Sequence, residues 1–428
     1  MRRIVILGCG FGGFRAAREL ERELAGRRVQ ITVVSDRPDF LYTPLLPNVA
    51  TGELDASHIT FGLREAFEPT TEVLIQTVES IDLAARCLRS PAGDIDFDYL
   101  LIACGSQVNW GGHPEWAEHA LALKNAGDAL RLREEVARAL NDAAQISCAE
   151  ARRRRLTFVI GGGGPTGVEI SGSLVAALQS DLIANVAPEL VAATRVILVE
   201  QGPRLLPDMP TEVGDIARAQ LSQFGMEFRL GTSVVSRSAT EVGLSTGEVI
   251  PADNLIWCGG VRAHPMVAEA GFGVDDQGRI LVNKTLKAIS PATSVAGIFA
   301  LGDAATVGEE SLQNAQVASQ QAYDAAYNIV ADLSGRAYRE WEYRPSAELI
   351  SLGNEQAAAY VAGSAITGRA ARTLYRLVHT ALMPGGLKKA SLLKGWLLSR
   401  HRIAPPSPPQ LEVEVEETPQ LPTPESSE

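Results

Sequence analysis

The chain has 428 residues, 46% of them hydrophobic, and carries a net charge of −12, from 39 Lys and Arg against 51 Asp and Glu. That length exceeds what one hydrophobic core serves, so two or three domains are expected, and the acidic balance argues against nucleic-acid binding as the main task. Five cysteines (Cys9, Cys87, Cys104, Cys148 and Cys258), odd in number and never in Cys-x-x-Cys spacing, argue against a disulfide framework and a zinc site and fit a reducing compartment.

From the N-terminus, Met1-Arg2-Arg3 leads straight into the apolar run 4–7, which reads as a buried strand and not as a signal peptide. Gly8-Cys9-Gly10-Phe11-Gly12-Gly13 follows, then a helix over about 12–24 and a strand over 29–34, together one β-α-β unit. A Gly-x-Gly-x-x-Gly at such a turn brings the backbone close to a pyrophosphate and sets it at a helix N-terminus. The segment 36–47 (Asp36-Arg37-Pro38-Asp39-Phe40-Leu41-Tyr42-Thr43-Pro44-Leu45-Leu46-Pro47) is unusually apolar and proline-rich for a surface connection, so it is expected as a loop packed over a ligand. Short strands are expected at 73–78 and 87–89, and 97–106 reads as a buried strand running into a glycine turn.

Residues 124–150 predict one long charged helix, ending near the four-arginine cluster Arg152 to Arg155, which is read as a solvated helix end. A second glycine fingerprint, Gly162-Gly163-Gly164-Pro165-Thr166-Gly167, follows the apolar Phe158-Val159-Ile160 and opens a helix over 168–182 and a strand over 195–199 ending at Glu200. Two such fingerprints in one chain point to two dinucleotides bound face to face. Strands are expected at 234–238, 241–245 and 254–258. The chain then returns to the first unit through 295–303, a helix spans about 315–333, and strand-like patches occupy 341–367.

Residues 369–402 hold eight Lys or Arg and no acid, and predict two basic amphipathic helices broken at Pro384-Gly385-Gly386. Leu374, Leu377, Val378, Ala381, Leu382, Leu392, Leu393, Trp396, Leu397 and Leu398 supply an apolar side, with Arg369, Arg372, Arg376, Lys388, Lys389, Lys394 and Arg400 alongside, a pattern that suits a membrane interface. No run of 18 apolar residues occurs, so no bilayer-spanning helix is expected. The tail from 403 to 428, rich in Pro and Glu, is expected to be disordered.

Several residues carry chemistry in this pattern. Glu200, at the end of the second unit's second strand, suits a ribose 2′-hydroxyl and would repel a 2′-phosphate, favouring NADH over NADPH. In the first unit either Ser35 or Asp36 faces the ribose. Asp303, in Leu301-Gly302-Asp303, is either a helix N-cap or a partner for the ribitol of FAD. Glu169, expected in the first turn of the second helix, either complements the helix dipole or faces the nicotinamide and serves a proton step. Gln316 and Gln320, four apart on one helical face, can hydrogen-bond a quinone's carbonyls without taking protons.

These motifs resemble the type II NADH:quinone oxidoreductases. The resemblance rests on Gly8–Gly13, the loop from Leu41 through Gly52, Tyr99–Ser106, Gly162–Glu169, Ile256-Trp257-Cys258-Gly259-Gly260-Val261, Leu301-Gly302-Asp303 and Ala315-Gln316-Val317-Ala318-Ser319-Gln320, and spans roughly residues 2–400. It implies an α/β fold of two interleaved Rossmann-like domains plus a C-terminal α+β membrane-associating segment. The corresponding divisions are 1–120 with 275–340 for FAD, 121–274 for NADH and 341–402 for the C-terminal part. It also implies that Gly8, Gly10, Gly13, Ala103 and Asp303 contact FAD, that Gly162, Gly164, Gly167 and Glu200 hold NADH, and that Gln316 and Gln320 meet the quinone. Further candidate cofactor contacts are Phe11, Gly12, Ser35, Asp36, Arg37, Pro44, Leu45, Val78, Gly105, Thr166, Gly260, Gly302 and Ala315.

The implied reaction passes a hydride from NADH to FAD and two electrons to a membrane quinone, without a metal or proton pumping, on the cytoplasmic face of the cell membrane; a homodimer is usual in the family. Departures from the family pattern are Cys104, Cys258-Gly259, Ser173, Ser35 and Ala322. The alternatives are a related flavoprotein with another acceptor, namely a sulfide:quinone oxidoreductase or a ferredoxin- or rubredoxin-type reductase, and a flavoprotein that signals redox state. The sulfide chemistry needs a cysteine in the last third of the chain, and none follows Cys258.

Overall fold

The computed structural model of the chain describes residues 1–179, 187–291, 295–308, 313–344 and 346–398. The expected acidic tail and Arg400 lie outside the described residues. Two parallel sheets organise the molecule. The first has the strand order Ile298–Ala300, Tyr99–Ile102, Arg2–Leu7, Val29–Ser35, Glu72–Ile75. The second has Glu227–Leu230, Arg195–Glu200, Thr157–Gly161, Asn254–Trp257. Their central strands are apolar runs buried on both faces, as parallel strands covered by helices must be.

In each sheet the strand that feeds a glycine turn has a neighbour on both sides, so its carboxyl end opens where chain order reverses across the sheet. The first sheet is completed late: Ile298–Ala300 returns to pair with Tyr99–Ile102, and helix Ala315–Ser334 then packs along helix Phe11–Glu23. Strand Ser106–Val108, which follows the first sheet's Tyr99–Ile102, pairs with Val261–Ala263, which follows the second sheet's Asn254–Trp257, and Leu121 bridges Ile256 of the second sheet.

Three expectations change. The 36–47 segment is not irregular: Asp39–Leu41 pairs with Thr60–Gly62, Thr43–Leu45 forms a 3-10 turn, and helix Leu46–Ala50 follows. Pro44 and Pro47 each sit near the start of their helix, where the missing N–H costs nothing. The long helix expected at 124–150 divides into Ala126–Gln145 and Ala149–Arg155. Arg152 donates to the Ile146 carbonyl at the break, and Arg155 pairs with Glu135 and Asp142 across it. The arginine cluster is thus largely spent on local protein partners. Finally, the second glycine-loop helix spans Pro165–Leu178, beginning before the expected start.

The C-terminal part is an antiparallel sheet, Glu348–Gly353, Gln356–Val361 and Ser364–Thr367, followed by helices Gly368–Leu382 and Gly386–Leu398. Strand Glu348–Gly353 lies directly on helix Pro165–Leu178. That helix is apolar nearly all round, which explains its burial between sheets. Among the described residues no helix is long and apolar enough to cross a membrane.

Candidate functional site

The two glycine loops have the same construction. Gly8 and Gly162 have φ of +94° and +116°, and a Cβ on either would collide with the backbone of the neighbouring strand's end, at Ala103 and Cys258 respectively. Gly13 and Gly167 are held by packing as well, since a Cβ there would lie 2.0 and 1.9 Å from the Gly8 and Gly162 carbonyl oxygens. The middle glycines differ: nothing lies within 4 Å of a Cβ on Gly10 or Gly164. Each is the N-cap of its helix, and neither helix start has a side-chain cap. Protein packing therefore does not require Gly10 and Gly164 to be glycine, whereas a pyrophosphate seated on the exposed N–H groups would. The residues present fit two dinucleotides.

On the first loop's side, Phe11 packs edge-on against Phe40 and Tyr42, and Gly12 is buried against Leu301. Ser35 and Asp36 differ in their surroundings. Ser35 is buried and its hydroxyl accepts the Arg37 N–H at 3.2 Å, whereas Asp36 is exposed and lines a cavity of about 760 Å³ shared with Cys104, Ser106 and Lys124. Arg37 Nε is buried with no hydrogen-bond partner among the described residues, while its Nη2 pairs with Asp39 at 3.3 Å. Pro44 and Leu45 form the 3-10 turn below Tyr42; Val78 follows the edge strand; Ala103 is buried against the first loop; Gly105 takes φ of +69°.

Asp303 is not a helix N-cap. It sits in a 3-10 turn over Gly302–Ala304, where its Oδ2 accepts the Ser106 hydroxyl at 2.6 Å and lies 3.8 Å from Lys124 Nζ. Lys124 also donates to Ser106 at 2.8 Å; burial pushes its ammonium down while Asp303 pulls it back. Lys124 and Ser106 were not legible as site residues. Gly302 donates its N–H to the Gln321 side chain, and Ala315 opens the helix that follows, capped by Asn314.

On the second loop's side, Glu200 Oε2 accepts the Gly163 N–H and Oε1 the Gly202 N–H, both at 2.6 Å. Two backbone bonds fix the carboxylate and leave lone pairs for a ribose diol. Replacing Glu200 with alanine should raise the kcat/KM ratio for NADPH over NADH about tenfold, because a repelling charge is gone. Steady-state rates with both nucleotides check this; an unchanged ratio removes Glu200 from cofactor choice. Thr166 is exposed on the first turn, and Gly260 has open space around it. Burial pushes the Cys104 and Cys258 thiols up to about 12, so neither is a thiolate at neutral pH.

Glu169 corrects an expectation. With the helix starting at Pro165 it lies past the first turn, and it is buried instead of capping the dipole. Its Oε1 accepts the Ser351 N–H at 3.0 Å. Burial raises its carboxyl to about 7, against the opposing pull of the Ser351 amide, the Tyr375 hydroxyl and the Arg372 charge. Around it lies a polar cluster that sequence reasoning missed. Arg372, buried on helix Gly368–Leu382, pairs with Glu53 and donates to the Ser351 hydroxyl at 2.5 Å. Asn48 Nδ2 donates to Glu53 Oε2 at 2.6 Å, and Tyr42 Oη lies 3.0 Å from His379 Nδ1. Burial, aided by Arg372, lowers His379 to about 3, so it stays neutral.

Gln316 and Gln320 do engage carbonyls, but those of this chain. Gln316 Nε2 donates to the Ala347 carbonyl and its Oε1 accepts the Ser346 hydroxyl; Gln320 exchanges two bonds with the Arg344 backbone. Each Nε2 retains a second N–H. The C-terminal helices are also more divided than their sequence suggests. Leu392 and Trp396 are buried, and Trp396 lies against the Arg372 and Arg376 guanidinium groups. The expectation that Arg372 and Trp396 face a membrane is overturned: both point inward. Leu377, Leu382, Leu387, Leu393, Leu397 and Leu398 are the outward side, 46 to 90% exposed.

Two Rossmann-like units, each with a cradle open at its middle glycine, and a buried carboxyl where the second unit's helix meets the first unit's loop, define a two-dinucleotide oxidoreductase. Comparison with known proteins agrees: residues 2–322 match the pyridine nucleotide-disulphide oxidoreductase family. A type II NADH:quinone oxidoreductase of Mycobacterium tuberculosis is 31% identical over 414 residues, covering 93% of this chain and 88% of its own. The chain belongs to the type II NADH:quinone oxidoreductase family. NDH2 of Plasmodium falciparum, solved in complex with NADH, shares the fold at 17% identity, with a TM-score of 0.83 over 92% of this chain and 97% of its own. The sulfide:quinone oxidoreductase of Aquifex aeolicus is similar in fold as well, with a TM-score of 0.70, 20% identity and coverage of 95% and 93%.

Proposed function

We propose that the chain catalyses NADH oxidation by a membrane quinone, with FAD, when bound, taking the hydride and passing two electrons on. The observation that carries this is the pair of cradles whose middle glycines face open space, with Glu169 buried between them and the C-terminal sheet. The Gly8–Gly13 loop, Asp36, Arg37 and Asp303 would hold FAD. The Gly162–Gly167 loop and Glu200 would hold NADH. Glu169 would supply a proton for the quinone step, and Gln316 and Gln320 are candidate quinone contacts. The division into 1–120 with 275–340, and 121–274, belongs to this reading and is supported by the return of Ile298–Ala300 to the first sheet. The test is NADH oxidation with and without a soluble quinone. A rate raised by ferricyanide but not by quinone overturns the assignment, in favour of another acceptor.

The membrane surface is reached, in this proposal, through the six outward leucines with Lys388, Lys389 and Lys394 nearby, a basic amphipathic surface suited to an anionic interface. The cytoplasmic side and a homodimer complete the proposal and rest on the resemblance alone. Replacing Leu387, Leu397 and Leu398 together with glutamine should weaken binding to anionic vesicles at least about 100-fold, since each buried leucine side chain contributes about 1.5–3 kcal/mol. Soluble-quinone activity should remain. Vesicle sedimentation checks this, and unchanged binding removes these helices from the membrane.

A further inference from the structure

The Glu169 carboxyl is one end of a buried network that runs through three separate parts of the chain. Ser351 touches both neighbours: its N–H donates to Glu169 at 3.0 Å, and its hydroxyl accepts from Arg372 Nη1 at 2.5 Å. Arg372 Nη2 pairs with Glu53, whose remaining oxygen takes the Asn48 amide. Arg376 lies 3.3 Å from Glu53 and 2.5 Å from Glu355. The charges balance without Glu169: Glu53 and Glu355 match Arg372 and Arg376. A buried cation is stable only beside a counterion, and here the counterion is Glu53 and not the nearer-to-site Glu169.

We propose that Glu53 is a positioning residue for the reaction: by holding the Arg372 guanidinium on the far side of Ser351, it denies Glu169 a directly paired cation and so favours the uncharged form of that carboxyl. The inference rests on the reading of Glu169 as the group that serves the proton step. The titratable groups acting on Glu169 are Tyr375 and Arg372, both from helix Gly368–Leu382. Strand Glu348–Gly353 contributes the Ser351 amide, and helix Leu46–Ala50, packed against it, has no titratable side chain. The strands Thr157–Gly161 and Arg195–Glu200 and helix Thr211–Gln223, which also pack on its helix, add no charge that acts on it. Losing Glu53 removes the carboxylate paired with Arg372 and leaves Glu355, already paired with Arg376, and Glu169 as the carboxyls in its reach.

The E53Q variant should therefore make Glu169 easier to ionise and move the alkaline fall of kcat about one pH unit toward acid. R372M should move it the opposite way, and E53D should keep the wild-type profile. Opposite shifts from the two halves of one ion pair are not a signature of general damage, which would lower kcat without moving its pH dependence. The second readout is the carboxylic C=O infrared band of Glu169, assigned with E169Q and followed against pH in the holoenzyme. It should vanish at lower pH in E53Q and persist to higher pH in R372M. If E53Q loses its flavin, the double variant E53Q/R372M removes both members of the pair and should match R372M. Shifts in the same direction, or none in the infrared titration, overturn the proposal. An infrared shift with a kcat profile unmoved by E169Q itself supports the role of Glu53 on Glu169 and overturns only the proton role of Glu169.

Discussion

Replacing Gly164 with valine should leave the protein folded and carrying flavin while lowering kcat/KM for NADH about 100-fold. The expectation follows from the difference among the loop's glycines. Gly162 and Gly167 are enclosed by the chain itself, so larger residues there would disturb the fold. Gly164 faces open space, with nothing within 4 Å of a Cβ placed there, so a side chain would project to where a pyrophosphate meets the helix start it caps. A displacement of about 1 Å in the bound nucleotide is enough for a loss on the order of 100-fold. The matching change, Gly10 to valine, should instead yield protein without flavin. Flavin absorbance and NADH titration check both, and equal effects from the two variants would mean that the loops do not serve different nucleotides.

Glu169 to glutamine should lower kcat with quinone about 100-fold, the usual weight of a positioned acid, while leaving flavin reduction by NADH in the absence of quinone unchanged. The sign of the pH dependence follows from the raised carboxyl. Below about 7 Glu169 holds its proton, and above it the proton is lost, so wild-type kcat should fall as pH rises through neutrality. Glutamine cannot titrate, so the variant should show no such fall. Stopped-flow reduction separates the two half-reactions, and a normal quinone rate in the variant would leave Glu169 a structural partner of Ser351.

Much of this architecture is legible along the chain because its signals are local. An apolar run, a glycine turn and an amphipathic helix lie within some thirty residues of each other, and their periodicities survive without any tertiary contact. Glu200 was legible for the same reason, as the end of a strand predicted from its own residues. The cluster around Glu169 was not. Glu53 and Arg372 stand 319 positions apart and become partners only when the C-terminal helix closes over the first unit's loop. In sequence Arg372 is one more base on an amphipathic helix, indistinguishable from Arg369; burial of one and exposure of the other is decided by which face docks. Trp396 misled for the same reason, since an aromatic ring serves a membrane interface and a protein interior equally well.

Two glycine-loop units, their order, the acid that ends the second unit's second strand and the amphipathic character of the end of the chain are readable in sequence, because each is written in residues that are neighbours along it. Tertiary structure alone decided the state of Glu169, the pairing of Arg372 with Glu53, the support of Asp303 by Ser106 and Lys124, and the occupation of Gln316 and Gln320 by the 344–347 segment. Protonation and charge pairing depend on what surrounds a group in three dimensions, through burial and the distance to a counter-charge. Those quantities do not exist until separate parts of the chain have packed together.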